Sequence, residues 1–300
     1  MQNIKKLEQE IDTATNVKSL AIAYEEISIM RMQKIRDMVL SSRYYLDNLY
    51  PVFKEVRKAY VESSVGKSRL LKMSKKGELS KSSFSTMIKN GRNVVVLITP
   101  NNRMSGNLAK SVIADFLDDM SVSDKSTDYV IIGKLGANLL RNSNTKLNNK
   151  NVLYFDLPDT KSEIEILRII ESVMHYDKVV VYYGKFKNLI ERVSSKDEIS
   201  AEYEQVDEKS ISRDSFIIEP QIDKVLNFFE IQVFTVLFKQ RLSESELGML
   251  GSRISAMEAA ISKSEQKVSQ LMYQRRVYRK KEDQKKQIQR VITASLSKAY

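Results

Sequence analysis

Four places in this sequence carry residue types that could do chemistry. Gly66-Lys67-Ser68 has the composition of a phosphate cradle, in which backbone N–H groups and a lysine hold a nucleotide's phosphates. Such a cradle needs a glycine five residues ahead of Gly66, where Val61 stands, and a strand before it, where the pattern is helical. The competing reading is a helix-ending glycine in a basic loop. Gly133 and Gly136 follow a β-branched run and make half of a dinucleotide fingerprint, without the third glycine at its spacing. A turn has the same composition. His175 is the only histidine and there is no cysteine, so neither a histidine triad nor a usual zinc set can be assembled. The acidic residues Asp118-Asp119 and Asp156 with Asp159 fall at element ends, where carboxylates cap helices and fill turns. No catalytic, cofactor-binding or metal-ligating residue is assigned, and the chain is expected to be non-catalytic.

The densest chemistry is electrostatic. Near the end of the sequence Leu250, Ile254, Met257, Ile261, Ser264, Val268 and Leu271 keep a strict four–three heptad. The next two seam positions are Arg275 and Tyr278, and the stripe fails there. Between Arg275 and Arg290 stand eight Lys or Arg against Glu282 and Asp283, with Arg275, Arg276, Arg279, Lys280 and Lys281 the tightest group. The whole chain carries a net charge of +11, which implies an acidic partner: nucleic acid, an anionic membrane surface or an acidic protein. The bland alternative for the run is a solvated helix face.

The elements that must position these residues fall into three zones. Residues 1–85 read as a long helix plus a basic linker. Ile4, Leu7, Ile11, Ala14, Ala21, Met32, Ile35, Val39, Leu46, Leu49, Phe53, Val56 and Tyr60 lie on one alternating three–four register, with Lys18, Glu25, Ser28 and Ser42 as its polar occupants. Val17, Leu20, Tyr24 and Ile27 form a neighbouring stripe, so the seam is expected to shift face midway, and Pro51 to kink or break the helix. "GKSRLLKMSKKGELSKSSF" reads as a mobile basic linker. In residues 86–215, "NVVVLITP", "DYVIIG", "NVLYFDL" and "KVVVYYGKF" read as strands alternating with amphipathic helices, which argues a parallel α/β layer. Ser105 and Thr160 are the expected helix caps, and "SSKDEISAEYEQVDEKS" an exposed hairpin or loop. Residues 216–300 form a second long helix, with Pro220 at its first turn. Heptads at both ends suggest antiparallel pairing, with the middle domain hanging from the pair. The fold class is α/β with long helices: an antiparallel coiled coil of N- and C-terminal helices plus a central Rossmann-like α/β domain.

The layout resembles the gamma subunit of F-type ATP synthases, the central rotor shaft. "IDTATNVKSLAIAY" is similar to the family's N-terminal helix motif, with Ile11, Asn16, Leu20 and Ala23 in place. "LITPNNRMSGNLAKSV" sits where the family has its first strand and a glycine-containing loop, with Gly106 and Leu108 retained. "FIIEP" and "EIQVF" resemble its Glu-Pro approach to the last helix, and "SRISAMEAA" its C-terminal signature through Arg253, Ala256 and Met257. Without gaps from there, Arg279 falls on an arginine of the family. Asn101 and Asn107 replace the usual aspartate and second glycine of the loop, and Ser245-Glu246 lies three residues too far from Arg253. These departures, with a Lys-, Asn-, Ser- and Ile-rich composition, point to a specialised paralogue such as the rotary-motor-like ATPases of mollicutes, some of which serve gliding.

The resemblance implies a shaft seam including Ile11, Leu20, Met257, Ile261 and Leu271. It also implies that the C-terminal helix continues alone into a ring of alpha- and beta-type ATPase subunits. Its cations would face acidic ring loops, and Ile288, Val291, Ile292 and Leu296 would seat in an upper bearing. Other implied partners are an epsilon-type subunit and a membrane rotor ring, with proton transport or gliding as output. The alternative is a basic coiled-coil protein binding nucleic acid; only Tyr273 and Tyr278 interleave with the cations and no reader motif is present, so no nucleic acid is expected. The start lacks a signal peptide, and the most apolar run, Val225–Phe238, is too short to span a bilayer. The expected location is cytoplasmic, peripheral at the membrane's cytoplasmic face.

Overall fold

The computed structural model describes residues 2–64, 66–68, 86–87, 89–102, 106–122, 127–142, 151–157, 162–186, 188, 191–200, 219 and 221–296. The elements in order are α1 (Gln2–Glu62), β1 (Asn93–Ile98), α2 (Leu108–Val122), β2 (Thr127–Ile132), α3 (Lys134–Asn142), β3 (Val152–Phe155), α4 (Glu163–Val173), β4 (Lys178–Phe186), β5 (Arg192–Glu198) and α5 (Ile222–Leu296). The chain divides into two compact units. Unit 1 is Met1–Met30 with Arg253–Tyr300, and unit 2 is Arg31–Ser252. The long helices α1 and α5 each contribute to both.

In unit 2 the sheet order is β3-β2-β1-β4-β5. The pairs β1–β2, β1–β4 and β2–β3 are parallel, and β4–β5 is antiparallel. Strand alternation gives each face its own core. Val94, Val96, Ile98, Val130, Ile132, Val179, Val181 and Tyr183 face one way, against Ile169, Ile170 and Val173 of α4, Phe53, Val56 and Tyr60 of α1, and Val233, Leu237 and Phe238 of α5. Leu97, Tyr129, Ile131, Val180 and Tyr182 face the other way, against Val112, Ile113, Phe116 and Met120 of α2. Within this unit α1 and α5 also pack directly, through Ile35 and Val39 against Leu247 and Leu250.

Several expectations are corrected. The sheet is mixed rather than all parallel: the acidic segment expected as a hairpin or loop supplies β5, which pairs antiparallel with β4 as the second arm of a hairpin at the sheet edge. An edge strand with one wet face tolerates Lys196, Asp197 and Glu198, so it lacks the apolar run that marks a central strand. The rest of that segment, 201–210, lies outside the described residues, as do Ser105, Thr160, Pro220 and residues 69–84 of the linker. The first position of α4 is preceded by Ser162, not Thr160, and Ser162 makes no side-chain capping bond. Pro51 does not break α1, which runs through it. A proline inside a helix removes one backbone hydrogen bond; the flanking Leu46, Phe53 and Val56 are buried in the core and hold the helix in place.

Glu230 interrupts the apolar run of α5 and is 1% exposed. Its carboxylate accepts the backbone N–H of Thr86 at 2.9 Å, the Thr86 hydroxyl at 2.8 Å and the Met87 N–H at 3.2 Å. A buried charge needs such partners. Here it ties the segment that precedes β1 to α5.

Candidate functional site

Among the described residues, none of the motifs that could do chemistry forms an open cradle; Asp159 lies outside them. The Gly66 N–H is taken by the Ser63 hydroxyl at 3.1 Å and the Lys67 N–H by the Ser63 carbonyl at 3.0 Å. Gly133 (φ +99°) and Gly136 are required by close approach: a Cβ on either would lie within 2.7 Å of Thr99. The N–H groups that open α3 are occupied, Lys134 by Asn101 Oδ1 at 2.9 Å and Gly136 by Thr99 Oγ1 at 3.0 Å. Asn101 also donates through Nδ2 to Asp156 and to the Leu157 carbonyl. An ionised aspartate could only accept, so asparagine suits this crossing better. His175 is an exposed residue in the turn after α4. Among the described residues no His, Cys, Asp or Glu group could hold a metal ion.

Parallel α/β sheets bind ligands outside the strand ends where the order reverses, here between β1 and β4. At that point α5 comes so close that a Cβ on Gly248 would lie 2.4 Å from the Gly184 carbonyl oxygen. One on Gly106 (φ +59°) would lie 2.3 Å from Ser252 Oγ. The retained Gly106 and Leu108 thus serve helix-to-sheet contact.

On the outer side of β4 and β5, Asp119 accepts from both the Tyr182 hydroxyl and Lys196 Nζ. The Lys196 and Tyr182 hydrogen bonds hold the Asp119 carboxyl below its ordinary value. Burial, then the bond to Asp119, pushes Tyr182 up to about 12. The Lys196 ammonium is raised by the same partners. Each charge is answered within the cluster.

The sequence's strongest candidate, the cationic run, lies on α5 in unit 1. There α1 and α5 run antiparallel: Leu7 and Ile11 bury against Leu271, Lys18 pairs with Glu265 at 2.8 Å, and Glu8 pairs with Arg279 at 3.2 Å. The seam is thin. Ser264 and Leu271 are buried on α5, whereas Met257 and Ile261 are half-buried.

Leu20 is not in the seam. It is 61% exposed, while its neighbour Ala21 is 4% exposed. The alternating register of Ile11 passes through Ala21 to Ser28, fully buried with its hydroxyl donating to the Tyr24 carbonyl at 2.6 Å. One residue is about 100° of helix, enough to carry Leu20 out of contact. The seam therefore does not shift face midway, and Val17, Leu20, Tyr24 and Ile27 form an exposed apolar stripe.

The five cations divide by environment. Arg275 is half-buried on the seam's continuation, Arg279 bonds Glu8, and Arg276, Lys280 and Lys281 are exposed. At 3.6 residues per turn they spread over roughly 240° of the helix, so they sheathe it rather than mark one face. Beyond them Ile288, Val291 and Ile292 are exposed. The Arg279–Glu8 pair was legible only in hindsight, since its partner lies 271 positions away.

A family model described as ATP synthase matches residues 3–285. The chain belongs to this family. An ATP synthase gamma chain of Rickettsia felis is 21% identical over 284 residues, covering 91% of each chain. A chain of the Euglena gracilis mitochondrial ATP synthase rotor superposes with a TM-score of 0.56 at 13% identity, covering 93% of this chain and 98% of that one. A chain of the same organism's OSCP/F1/c-ring assembly gives 0.57 at 12% identity, covering 99% and 95%. The chain is a gamma-type central rotor shaft of a rotary ATPase.

Proposed function

We propose that unit 1 turns inside a ring of alpha- and beta-type subunits and that Arg275, Arg276, Lys280 and Lys281 form its sliding contact with acidic ring loops. One observation carries this reading: unit 1 leaves a cationic sheath and large apolar side chains exposed on the same pair of helices. Contiguous apolar surface of that kind marks a face that another protein covers. Exposed ion pairs contribute only about 0–1 kcal/mol each, weak enough to exchange as the shaft turns. Arg279, held by Glu8, would staple the two helices where the coil ends, and Ile288, Val291 and Ile292 would seat in the upper bearing.

On this reading the chain is non-catalytic and ATP is hydrolysed at the ring. An epsilon-type subunit and a membrane rotor ring are the partners proposed at the output end. Among the described residues no helix is long and apolar enough to cross a membrane. We place the shaft at the cytoplasmic face of the membrane, with work divided among a helix and linker (1–85), a sheet domain (86–215) and the C-terminal shaft helix (216–300).

The test is reconstitution with the organism's own alpha- and beta-type subunits. Arg276→Glu with Lys280→Glu should lower complex recovery and ATP-driven rotation far more than Lys110→Glu with Lys224→Glu in unit 2. Raising salt from 0.1 to 1 M should mimic the first pair in part, because the Debye length falls from about 10 Å to about 3 Å. Equal behaviour of the two double variants would mean that the run is only a solvated face.

A further inference from the structure

Unit 2 contains an ionic network that its apolar cores do not require. Arg241 and Glu244 of α5 are 6% and 7% exposed. Arg241 Nε lies 3.1 Å from Asp197 Oδ2 of β5, and Nη1 lies 3.4 Å from Glu244 Oε2. The Tyr183 hydroxyl of β4 donates to Asp197 Oδ2 at 2.6 Å and lies 3.2 Å from Glu244 Oε2. Glu244 Oε1 accepts from Gln240 Nε2 at 3.0 Å and from Arg43 Nη2 of α1 at 3.3 Å. The Arg241 guanidinium also sits 5.8 Å from the centre of the Tyr183 ring. Two arginines face two carboxylates, and four elements meet.

Such a network is a poor way to gain stability, because desolvation cancels most of the attraction and well-packed apolar residues do as well. What it adds is direction. The surrounding contacts of α5, Phe234, Leu237, Phe238 and Leu242, are aliphatic and aromatic surfaces, to which the ionic contacts add a restraint between specific groups. The ties from α5 to the sheet are the Arg241–Asp197 ion pair and the Tyr183–Glu244 contact. The attraction between such fixed groups falls as the helix turns and their separation grows. Burial, then the Asp197 bond, holds the Tyr183 phenol protonated well above its ordinary value, so its donor is permanent. A shaft helix is the element on which a torsional restraint would act.

We propose that Arg241, Glu244, Asp197 and Tyr183 are positioning residues that lock α5 against rotation about its own axis relative to the sheet, so that unit 2 and its stretch of α5 turn as one body.

The chain has no cysteine, so spin labels can be placed cleanly on Lys110→Cys and Lys224→Cys, exposed positions on α2 and α5. The full-length chain is compared with a version carrying Arg241→Met, Glu244→Leu, Asp197→Val and Tyr183→Phe, which removes the charges and the hydroxyl together. The melting temperature should stay within a few degrees while the label-to-label distance distribution broadens about twofold, since coupled networks carry energies comparable to thermal motion or larger. A folded fourfold variant with an unchanged distribution would overturn the proposal. Should that variant not fold, Tyr183→Phe alone decides. It keeps the ring and loses two of the network's contacts, so it should broaden the distribution measurably at near-normal stability, and no broadening would overturn the lock.

Discussion

The two units bury their helices by opposite means. In unit 2, α1 and α5 meet the sheet through Phe53, Phe238, Leu226 and Val233, all fully buried. In unit 1 the same two helices meet through Leu7, Ile11 and Leu271, with Ala21, Ser28 and Ser264 filling the turns between. Small and hydroxyl-bearing residues let backbones approach but remove little apolar area from water. Unit 2 is a core with helices in it. Unit 1 is a pair of helices with Val17, Leu20, Tyr24 and Ile27 exposed outside its seam. On the proposed reading, a shaft that gains its final contacts from a surrounding ring has no use for a heavy core of its own, whereas a domain that transmits rotation does.

The contrast can be broken from the strong side first. Phe238→Ala should destabilise unit 2 by about 3–5 kcal/mol, the range for emptying a buried aromatic site. Denaturant unfolding of the isolated chain reads it. Leu271→Ala should cost about 2 kcal/mol, near the lower limit for leucine, because a two-helix seam can collapse onto the gap. It should act on unit 1 alone, as loss of protection in amide exchange at residues 4–20 and 262–279. Leu20→Thr sharpens the distinction between seam and stripe. In the free chain it should change stability by less than about 0.5 kcal/mol, as exposed positions do; in the assembled complex it should weaken recovery.

The smallest effect is acidic. Asp119 is held below its ordinary pKa by Lys196 and Tyr182, so its contribution is present above the usual carboxylate range and fades as pH falls through the lowered value. The pair is about half exposed and contributes at most about 1 kcal/mol. Asp119→Asn should therefore flatten the acid end of the stability profile and, because the same carboxylate raises Lys196 and Tyr182, blunt its alkaline end as well. Lys196 and Tyr182 have the opposite sign: their share persists to about pH 10 and is lost toward 12 in Tyr182's own titration.

Much of this was legible in the sequence because period and burial agree. The β-branched runs at Val94 and Val179 could only be central strands, and the register through Ile35, Val39 and Phe53 could only face a core. Leu20 misled because hydrophobicity was taken for burial. In a shaft enclosed by other subunits, an exposed leucine and a buried serine can both be correct, and Ser28 holds the seam while Leu20 leaves it. Edge strand β5 escaped because charge at Lys196–Glu198 hides strand character. Pro51 does not end α1, because Leu46, Phe53 and Val56 on either side of it are packed in the core. The partners of Glu230 and Arg241 are set by tertiary structure, which no local pattern encodes.

The most direct test of the account is chemical footprinting of the chain alone and in complex with its alpha- and beta-type subunits. Lysine acylation and side-chain oxidation are compared at Lys280, Lys281, Tyr24, Met30 and Ile292 in unit 1, and at Lys110 and Lys224 in unit 2. The account predicts strong protection of the unit 1 positions on assembly, with the unit 2 lysines as reactive as before. Unchanged reactivity at Lys280, Lys281 and Tyr24 in an intact, ATP-hydrolysing complex would contradict it.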